Sequence, residues 1–286
     1  MMSFFFRELL CWSFSREVVM KVADKVIVVT GAGSGMGRAL TLKLVEMGAR
    51  VAAVDLNETT LKETAGLVAD ASKVSTHAAS VSDKAAVEAL PEAIIAAHGA
   101  VDAIINNAGI IQPFVRFNDL PHDKIERVIN VNLYGVIYMT KAFLPHLLKR
   151  PEAHIVNVSS MGGFFPVPGQ SVYGASKAAV KLLTEALYSE LLDTNVRVTA
   201  IFPGAIATNI SQNSGVNIQA PAGSEARSFP TTPADKAAEI IISGMERDKF
   251  QVYVGRDASM MNLLYRLSPR RATRFMYGKM KALLPA

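Results

Sequence analysis

From residue 25 onward the sequence alternates short runs of branched apolar residues with longer segments of helical periodicity. The first run, Val26–Thr30, is apolar up to its last residue, as expected for a strand that is buried on both faces. Further strands are predicted at 50–55, 74–79, 101–106, 154–159, 196–202 and 251–254. Helices are predicted between them, at 36–47, 83–98, 123–149, 173–192 and 233–247. This alternation predicts an α/β fold built from right-handed βαβ units around a doubly wound parallel sheet.

A glycine-rich turn follows the first strand directly. It reads Thr-Gly-Ala-Gly-Ser-Gly-Met-Gly over residues 30–37 and leads into an amphipathic helix. Gly31, Gly35 and Gly37 permit a tight turn, close approach of the backbone to a pyrophosphate, and close packing of the helix on the sheet. The helix N-terminus adds unpaired N–H groups and a positive dipole end. The turn therefore predicts a dinucleotide site, and no Walker A sequence is present to suggest a nucleotide hydrolase.

Asp55 ends the second predicted strand, twenty residues after Gly35. A carboxylate at this position accepts hydrogen bonds from both ribose hydroxyls and repels a 2′-phosphate. Ser34, within the glycine turn, supplies no basic side chain to offset that repulsion. The sequence therefore predicts NAD as the cofactor rather than NADP.

Tyr173 and Lys177 stand four residues apart at the start of a predicted helix, so they share one helix face. A free phenol has a pKa of about 10 and is a poor acid–base catalyst at neutral pH. A cation near 4 Å stabilises the phenolate by about 4 kcal/mol at an effective dielectric of about 20, which is comparable to three pKa units. The Lys177 ammonium can therefore bring the Tyr173 phenol into the range where it exchanges a proton with a substrate oxygen. Ser160, thirteen residues before the tyrosine, would donate a hydrogen bond to that oxygen.

Together these motifs resemble the single-domain form of the short-chain dehydrogenase/reductase family. The resemblance spans about residues 20–256 and also includes Asn-Asn-Ala-Gly at 106–109, Asn132, and Pro-Gly at 203–204. It implies one domain with a Rossmann-type sheet of about seven strands. It also implies that the chain forms a homodimer or homotetramer. It also implies reversible hydride transfer between a nicotinamide ring and the carbon of an alcohol or ketone.

The resemblance further implies roles for single residues. Tyr173 resembles the general acid for ketone reduction and the base for alcohol oxidation, and Ser160 resembles the orienting donor. Lys177 resembles the residue that lowers the tyrosine pKa and binds the nicotinamide ribose. Asn132 resembles the residue whose backbone, through a water, links Lys177 to a proton relay. The cofactor contacts implied beside Tyr173 and Lys177 are Gly31, Ser34, Gly35, Met36, Gly37, Asp55, Val81, Asn107, Ala108, Gly109, Pro203, Gly204, Ile206 and Thr208.

One position departs from the family pattern. The family often has an aspartate where this chain has Ser80, directly before the residue that contacts adenine. Val81 is the expected adenine contact here, and Asp83, which follows, has the alternative role of a helix N-cap.

The substrate side of the site is predicted from two segments. Phe164 and Phe165 lie between Ser160 and Tyr173, and we expect them to line the substrate pocket with those two residues. Such an apolar wall favours a small or lipophilic uncharged alcohol or ketone, although the two rings have the alternative of packing under a neighbouring helix. The polar segment 206–232 is predicted to be a lid loop that excludes water.

Positive charge is concentrated at the carboxyl end. The chain carries a formal charge of +5, and residues 247–286 contain nine Lys or Arg and two Asp, a net +7 that leaves −2 for residues 1–246. Within the predicted tail, 257–286, apolar residues interleave with the cations. The tail has the alternatives of packing against a partner subunit or the lid loop, or of lying as an amphipathic helix on anionic lipid. No nucleic-acid partner is predicted, because no known binding motif accompanies the charge.

Residues 1–19 precede the first strand and form a leader or extension. They lack the basic start and the small-residue cleavage site of a secretory signal, and no apolar stretch approaches the ~18 residues of a membrane span. A start codon assigned too early, with Met20 as the true start, is the alternative. We expect a cytoplasmic protein, with peripheral membrane contact through the tail as an alternative. Cys11 is the only cysteine, which excludes an intrachain disulfide.

Other functions fit the sequence less well. A 3-oxoacyl-thioester reductase would usually use NADPH, which Asp55 disfavours. A non-catalytic NAD(H)-binding sensor would not need a serine, a tyrosine and a lysine at the spacing that Ser160, Tyr173 and Lys177 have. The five histidines do not form an H-E-x-x-H motif, so no metal site is predicted.

Overall fold

Seven parallel strands form the central sheet, in the order β3-β2-β1-β4-β5-β6-β7. The computed structural model describes residues 20–216 and 231–284. The predicted leader and residues 217–230 of the predicted lid loop lie outside that range. The strands are β1 Val26–Thr30, β2 Arg50–Asp55, β3 Val74–Ala78, β4 Ala103–Asn106, β5 Ala153–Val158, β6 Val196–Pro203 and β7 Gln251–Val254. The predicted Rossmann-type sheet in a single α/β domain is confirmed.

Helices cover both faces of the sheet. In the described residues they are α1 Gly35–Glu46, α2 Glu58–Gly66, α3 Lys84–His98, α4 His122–Ile129, α5 Gly135–Leu147, α6 Ser171–Glu190, α7 Ile210–Asn213, α8 Ala234–Glu246, α9 Arg256–Leu267 and α10 Pro269–Met280. The helix predicted over 123–149 is present from residue 122 to residue 147, and a π-helical turn at Asn130–Tyr134, which was not predicted, lies within it between α4 and α5. Two helices, α2 and α7, were not predicted.

Alternation along the strands builds a core on each face of the sheet. In β1, Ile27 and Val29 belong to the cluster that includes residues of α1 and α8, whereas Val26 and Val28 belong to the cluster of α3 and α5. All four side chains are fully buried, which explains why the run reads as continuously apolar.

The strand order places a crevice beside β1. Successive strands run outward from β1 to β3 on one side, and from β4 to β7 on the other. The chain therefore reverses direction across the sheet between β1 and β4, and in open α/β sheets ligands bind at the carboxyl ends of the strands at such a point.

The predicted tail is helical and packs on the domain. Helices α9 and α10 bury Met261, Ala272 and Met276 in one cluster with Phe165, a residue of the segment between β5 and α6. Within 20–216 and 231–284, no helix has both the length and the apolar composition needed to cross a membrane.

Candidate active site

A cavity of about 680 Å³ opens at the carboxyl ends of β1, β2, β4, β5 and β6. It brings together residues that the sequence spreads from position 31 to position 208. Of the predicted site residues it is lined by Gly31, Ser34, Gly35, Met36, Gly37, Asp55, Val81, Asn107, Ala108, Gly109, Ser160, Tyr173, Lys177, Pro203, Gly204, Ile206 and Thr208.

The glycine turn forms the floor of the cavity near the start of α1. Gly31 and Gly35 have positive φ values of 68° and 50°, a backbone conformation that side chains disfavour. A Cβ on Gly37 would overlap the Gly31 carbonyl oxygen, so the turn closes only with glycine there. The Ser34 side chain does not cap α1, so the first N–H groups of the helix face the cavity. These features fit a bound pyrophosphate.

Asp55 is held at the rim of the cavity by two backbone donors. Its Oδ2 accepts a hydrogen bond from the Gly33 N–H at 2.9 Å, and its Oδ1 accepts one from the Asn57 N–H at 3.0 Å. Each carboxylate oxygen keeps a lone pair for a further donor. Nearby, the Arg38 guanidinium donates to the Gly33 carbonyl at 2.7 Å and pairs with Glu63 at 2.8 Å. This cation is therefore already compensated by a carboxylate.

The segment after β4 is tied to β1 by one threonine. The Thr30 hydroxyl accepts hydrogen bonds from the Asn107 and Ala108 N–H groups, both at 3.0 Å. The Asn107 side chain returns a hydrogen bond to the Thr30 carbonyl at 2.9 Å. A Cβ on Gly109 would lie 3.1 Å from Lys177 Nζ and 3.3 Å from Asn132 Oδ1, so glycine leaves room for those two side chains to approach one another.

Asn132 lies behind the cavity wall, inside the π-helical turn. It is fully buried, and its Nδ2 donates to the Ile110 carbonyl at 2.9 Å and to Ser176 Oγ at 3.0 Å. Its Oδ1 accepts from the Ile110 N–H at 2.9 Å. The asparagine thus joins the segment after β4 to α6. Such turns within α-helices often occur at functional sites.

Ser160, Tyr173 and Lys177 meet where β5 ends and α6 begins. Gly162 lies beside the first two, since a Cβ there would lie 3.2 Å from the Tyr173 ring and 3.5 Å from Ser160 Oγ, and its N–H donates a hydrogen bond to Ser160 Oγ at 3.0 Å. Lys177 is buried and its Nζ donates to the Val158 carbonyl at 2.9 Å. The three side chains therefore line one wall of the cavity together.

Burial sets the electrostatics of this wall. It raises the pKa of Tyr173, and the nearby Ser160 hydroxyl opposes that change through a hydrogen bond. Burial also lowers the pKa of Lys177 to about 8. The Tyr173 phenol therefore keeps its proton at neutral pH, whereas the Lys177 ammonium loses its proton near pH 8. The lowering of the tyrosine pKa by Lys177 stays a prediction.

Gln112 holds the start of α6, a role that no motif in the sequence indicates. The side chain is fully buried, and its Oε1 accepts hydrogen bonds from the Val172 N–H at 2.8 Å and from the Tyr173 N–H at 2.9 Å. Its Nε2 donates to the Gly169 carbonyl at 3.0 Å. These N–H groups have no partner within the helix, so a residue sixty positions away satisfies them.

Phe164 and Phe165 do not line the cavity. Phe164 packs edge-on against Phe202 and Tyr253, with ring centroids 5.7 and 5.9 Å apart. Phe165 is fully buried and packs edge-on against Tyr265 of α9. The two rings are covered because α9 and α10 pack over the segment that carries them. The apolar lining of the cavity comes instead from Ile110, Ile111, Val131 and Ile206, among others.

The residues that follow β3 have two different roles, one at the cavity and one at the start of α3. Val81 lines the cavity and contacts Gly135 at the start of α5, where a Cβ would lie 2.8 Å from Val81 Cγ2. Asp83 is the N-cap of α3, since its carboxylate accepts a hydrogen bond from the Ala86 N–H at 3.1 Å. That alternative role for Asp83 is confirmed.

Comparison with known proteins gives a consistent result. The family profile described as short chain dehydrogenase matches residues 25–218. "Putative oxidoreductase SadH" of Mycobacterium tuberculosis is 38% identical over 250 residues, which are 85% of this chain and 90% of that protein. The 3-oxoacyl-[acyl-carrier-protein] reductase FabG of Thermotoga maritima is 36% identical over 197 residues, which are 68% of this chain and 78% of that protein. A short chain dehydrogenase/reductase from Burkholderia phymatum, solved in complex with NAD, superposes with a TM-score of 0.78 at 27% identity, covering 88% of this chain and 96% of that one.

Proposed function

This chain belongs to the short-chain dehydrogenase/reductase family of oxidoreductases, and we propose that it transfers a hydride reversibly between NAD(H) and a secondary alcohol or ketone that is small or lipophilic. One observation carries the proposal. Ser160, Tyr173 and Lys177 line the same cavity as the glycine turn and Asp55. Acid–base groups therefore face the place where a dinucleotide fits.

The chain's own residues handle the proton and the substrate oxygen. The glycine turn and Asp55 would hold a nicotinamide cofactor, which would supply or accept the hydride at the substrate carbon. In ketone reduction the Tyr173 phenol donates its proton to the carbonyl oxygen, and in alcohol oxidation the phenolate takes the hydroxyl proton. Ser160 donates a hydrogen bond to the same oxygen and stabilises its developing negative charge. Lys177, whose pKa is about 8, returns a proton to Tyr173 after reduction.

The choice of NAD rests on Asp55 and Arg38. The carboxylate is fixed at the rim with lone pairs left for ribose hydroxyls, and it repels a 2′-phosphate. Arg38 pairs with Glu63, so its charge is not available to offset that repulsion. Solved relatives in complex with NAD, with NADH and with NADP+ support a nicotinamide cofactor of either kind, so the choice of NAD rests on the residues of this chain. The predicted homodimer or homotetramer remains a prediction of family membership.

A 3-oxoacyl-thioester reductase is the second candidate. The similarity to the Thermotoga maritima 3-oxoacyl-[acyl-carrier-protein] reductase favours it. Asp55 disfavours NADPH, the cofactor that such a reductase would usually use. Parallel assays with acetoacetyl thioesters, simple secondary ketones and both reduced cofactors distinguish the two candidates.

The decisive experiment replaces one hydroxyl. Tyr173→Phe removes the acid–base group and should lower kcat for NADH-linked ketone reduction by about 10²- to 10⁴-fold. NADH binding, measured by nucleotide fluorescence, should remain. Tyr188→Phe, farther along the same helix, is the matched control and should keep full activity. Full activity in Tyr173→Phe would contradict the proposed chemistry, and a preference of the unaltered enzyme for NADPH would contradict the assignment of NAD.

A further inference from the structure

The last two helices form a pair that we call the C-terminal hairpin, residues 256–280. One side of each helix packs on the domain. Ala258 and Met261 of α9 and Ala272 and Met276 of α10 are buried. Three of the four share a cluster with Phe165. The opposite side of each helix therefore points away from the domain.

Large apolar side chains follow one another along the outer side of α9. Met260 is three or four residues from Leu263 and Leu264, which in turn are four and three residues from Leu267, so the four side chains form one stripe on the helix. The stripe is exposed, with Leu263 at 59% and Leu267 at 74% of their full accessibility. It lies on the side of the helix opposite Ala258 and Met261. Exposed apolar stripes of this kind mark surfaces of interaction.

The outer side of α10 is cationic and aromatic. Arg270, Arg274 and Tyr277 share the side opposite Ala272 and Met276, and all three are exposed. From residue 258 to the end of the chain there are six Lys or Arg and no Asp or Glu. Asp257, the last acidic residue, accepts a hydrogen bond from the Ala205 N–H at 2.7 Å and so faces the domain. No ion pair is formed by the six cations within the described part of the chain.

We propose that the C-terminal hairpin binds the surface of a membrane that contains anionic lipids. The Met260–Leu267 stripe would enter the boundary between headgroups and acyl chains, and the cations of α10 would contact lipid phosphates. Phe165, which the hairpin buries, belongs to the segment that connects Ser160 to Tyr173. The bound hairpin therefore brings this segment close to the membrane.

Charge distinguishes this partner from the alternatives. A two-fold contact between hairpins of two copies would place the same cationic surface against itself, with no acidic side chain to pair with. A nucleic acid would neutralise the cations but leave the apolar stripe of α9 in water. An anionic lipid surface matches both the charge and the stripe.

Vesicle co-sedimentation of the full chain tests the proposal. We expect binding to vesicles of phosphatidylcholine mixed with phosphatidylglycerol, and much weaker binding to phosphatidylcholine alone. Replacing three cations together, Arg270→Gln, Arg271→Gln and Arg274→Gln, should weaken binding to the mixed vesicles by about 100-fold, at about five-fold per cation. The pair Leu263→Glu and Leu267→Glu should abolish binding to both kinds of vesicle.

Matched changes on other surfaces serve as controls. Leu67→Glu alters another exposed leucine, and the combination of Lys62→Gln, Lys84→Gln and Lys124→Gln removes three exposed cations elsewhere. Both control proteins should bind vesicles as the unaltered chain does. Failure of the unaltered chain to bind the mixed vesicles, or equal loss in the controls, would overturn the proposal. A smaller oligomer in the Leu263 and Leu267 variant, without vesicle binding by the unaltered chain, would instead identify a subunit interface.

Discussion

At the scale of single residues, Gln112 is the clearest case of support from a distance. Its carboxamide oxygen accepts from the N–H groups of Val172 and Tyr173, and its amide nitrogen donates to the Gly169 carbonyl. The first turn of α6 is thereby fixed to the segment after β4. Because Tyr173 is in that turn, Gln112 acts as a positioning residue for the phenol.

We expect Gln112→Met to lower kcat about 10-fold while leaving the KM for NADH unchanged. The substitution leaves two buried N–H groups without an acceptor, at about 1–3 kcal/mol each, and lets the first turn of α6 move. Gln112→Glu keeps the acceptor at a helix N-terminus and should recover most of kcat. Steady-state kinetics well below the unfolding temperature provide the measurement. Loss of thermal stability in Gln112→Met with an unaltered kcat would make the residue structural only.

The polar and glycine residues that line the cavity were largely predictable from the sequence, whereas its apolar lining (Ile110, Ile111 and Val131) and the residues that support its wall were not. Asp55 and Tyr173 stand at fixed spacings from other residues of chemical type suited to the reaction. Thr30 and Gly33 hold the cavity wall through hydrogen bonds between a backbone N–H and a side-chain oxygen, which join segments 22 to 78 residues apart. Such pairings leave no local pattern, because they depend on which strands become neighbours.

At the scale of elements, the strands and helices that bury many side chains could be predicted from the sequence, because burial produces a regular apolar pattern. Each of the seven predicted strands overlaps an observed one. The central strands are buried on both faces and read as apolar runs. Helix α2 was missed because it buries only Leu61 and Thr64 and otherwise exposes polar residues, which gives little periodicity. The π-helical turn was missed because apolar spacing does not record a change from α- to π-helical hydrogen bonding.

Two neighbouring strands carry a buried pair that should make stability depend on pH. His154 of β5 is fully buried, and its Nε2 lies 2.8 Å from Thr199 Oγ1 of β6. Burial lowers the pKa of His154 from the ordinary 6.5 to about 3. Between these values the unfolded chain binds more protons than the folded one. The contribution of His154 to the free energy of unfolding is therefore fully present above pH 6.5, and it falls by about 1.4 kcal/mol per pH unit below that value.

Urea unfolding between about pH 7.5 and about pH 5 measures this dependence. Replacing both partners, His154→Leu with Thr199→Val, removes the titrating group without leaving an unpaired hydroxyl, so the slope should decrease. A smaller slope should remain, because burial also lowers the pKa of His77 and of His98. An unchanged slope in the double variant would assign the acid sensitivity to other groups.

At the scale of the whole molecule, the chain divides by charge and by packing. Residues 1–246 have a net charge of −2, and residues 247–286 have a net charge of +7. The sequence showed this asymmetry but not that the basic end packs on the domain, because the contact depends on Phe165, far away in the sequence. The position of the hairpin thus rests on a small buried cluster, separate from the two clusters that cover the sheet.

That arrangement predicts that Phe165→Ala loosens the hairpin and spares the sheet. Removing a fully buried ring costs about 3–5 kcal/mol, and the ring's partners in its cluster are mostly hairpin residues. Hydrogen exchange in residues 256–280 should therefore accelerate by about 100-fold or more, with the amides of β1 and β4 unaffected. Phe143→Ala, a buried phenylalanine of the cluster that includes α5, is the matched control and should accelerate exchange across the sheet. If Phe165→Ala accelerated exchange in the sheet as much as in the hairpin, the hairpin and the sheet would open as one cooperative unit.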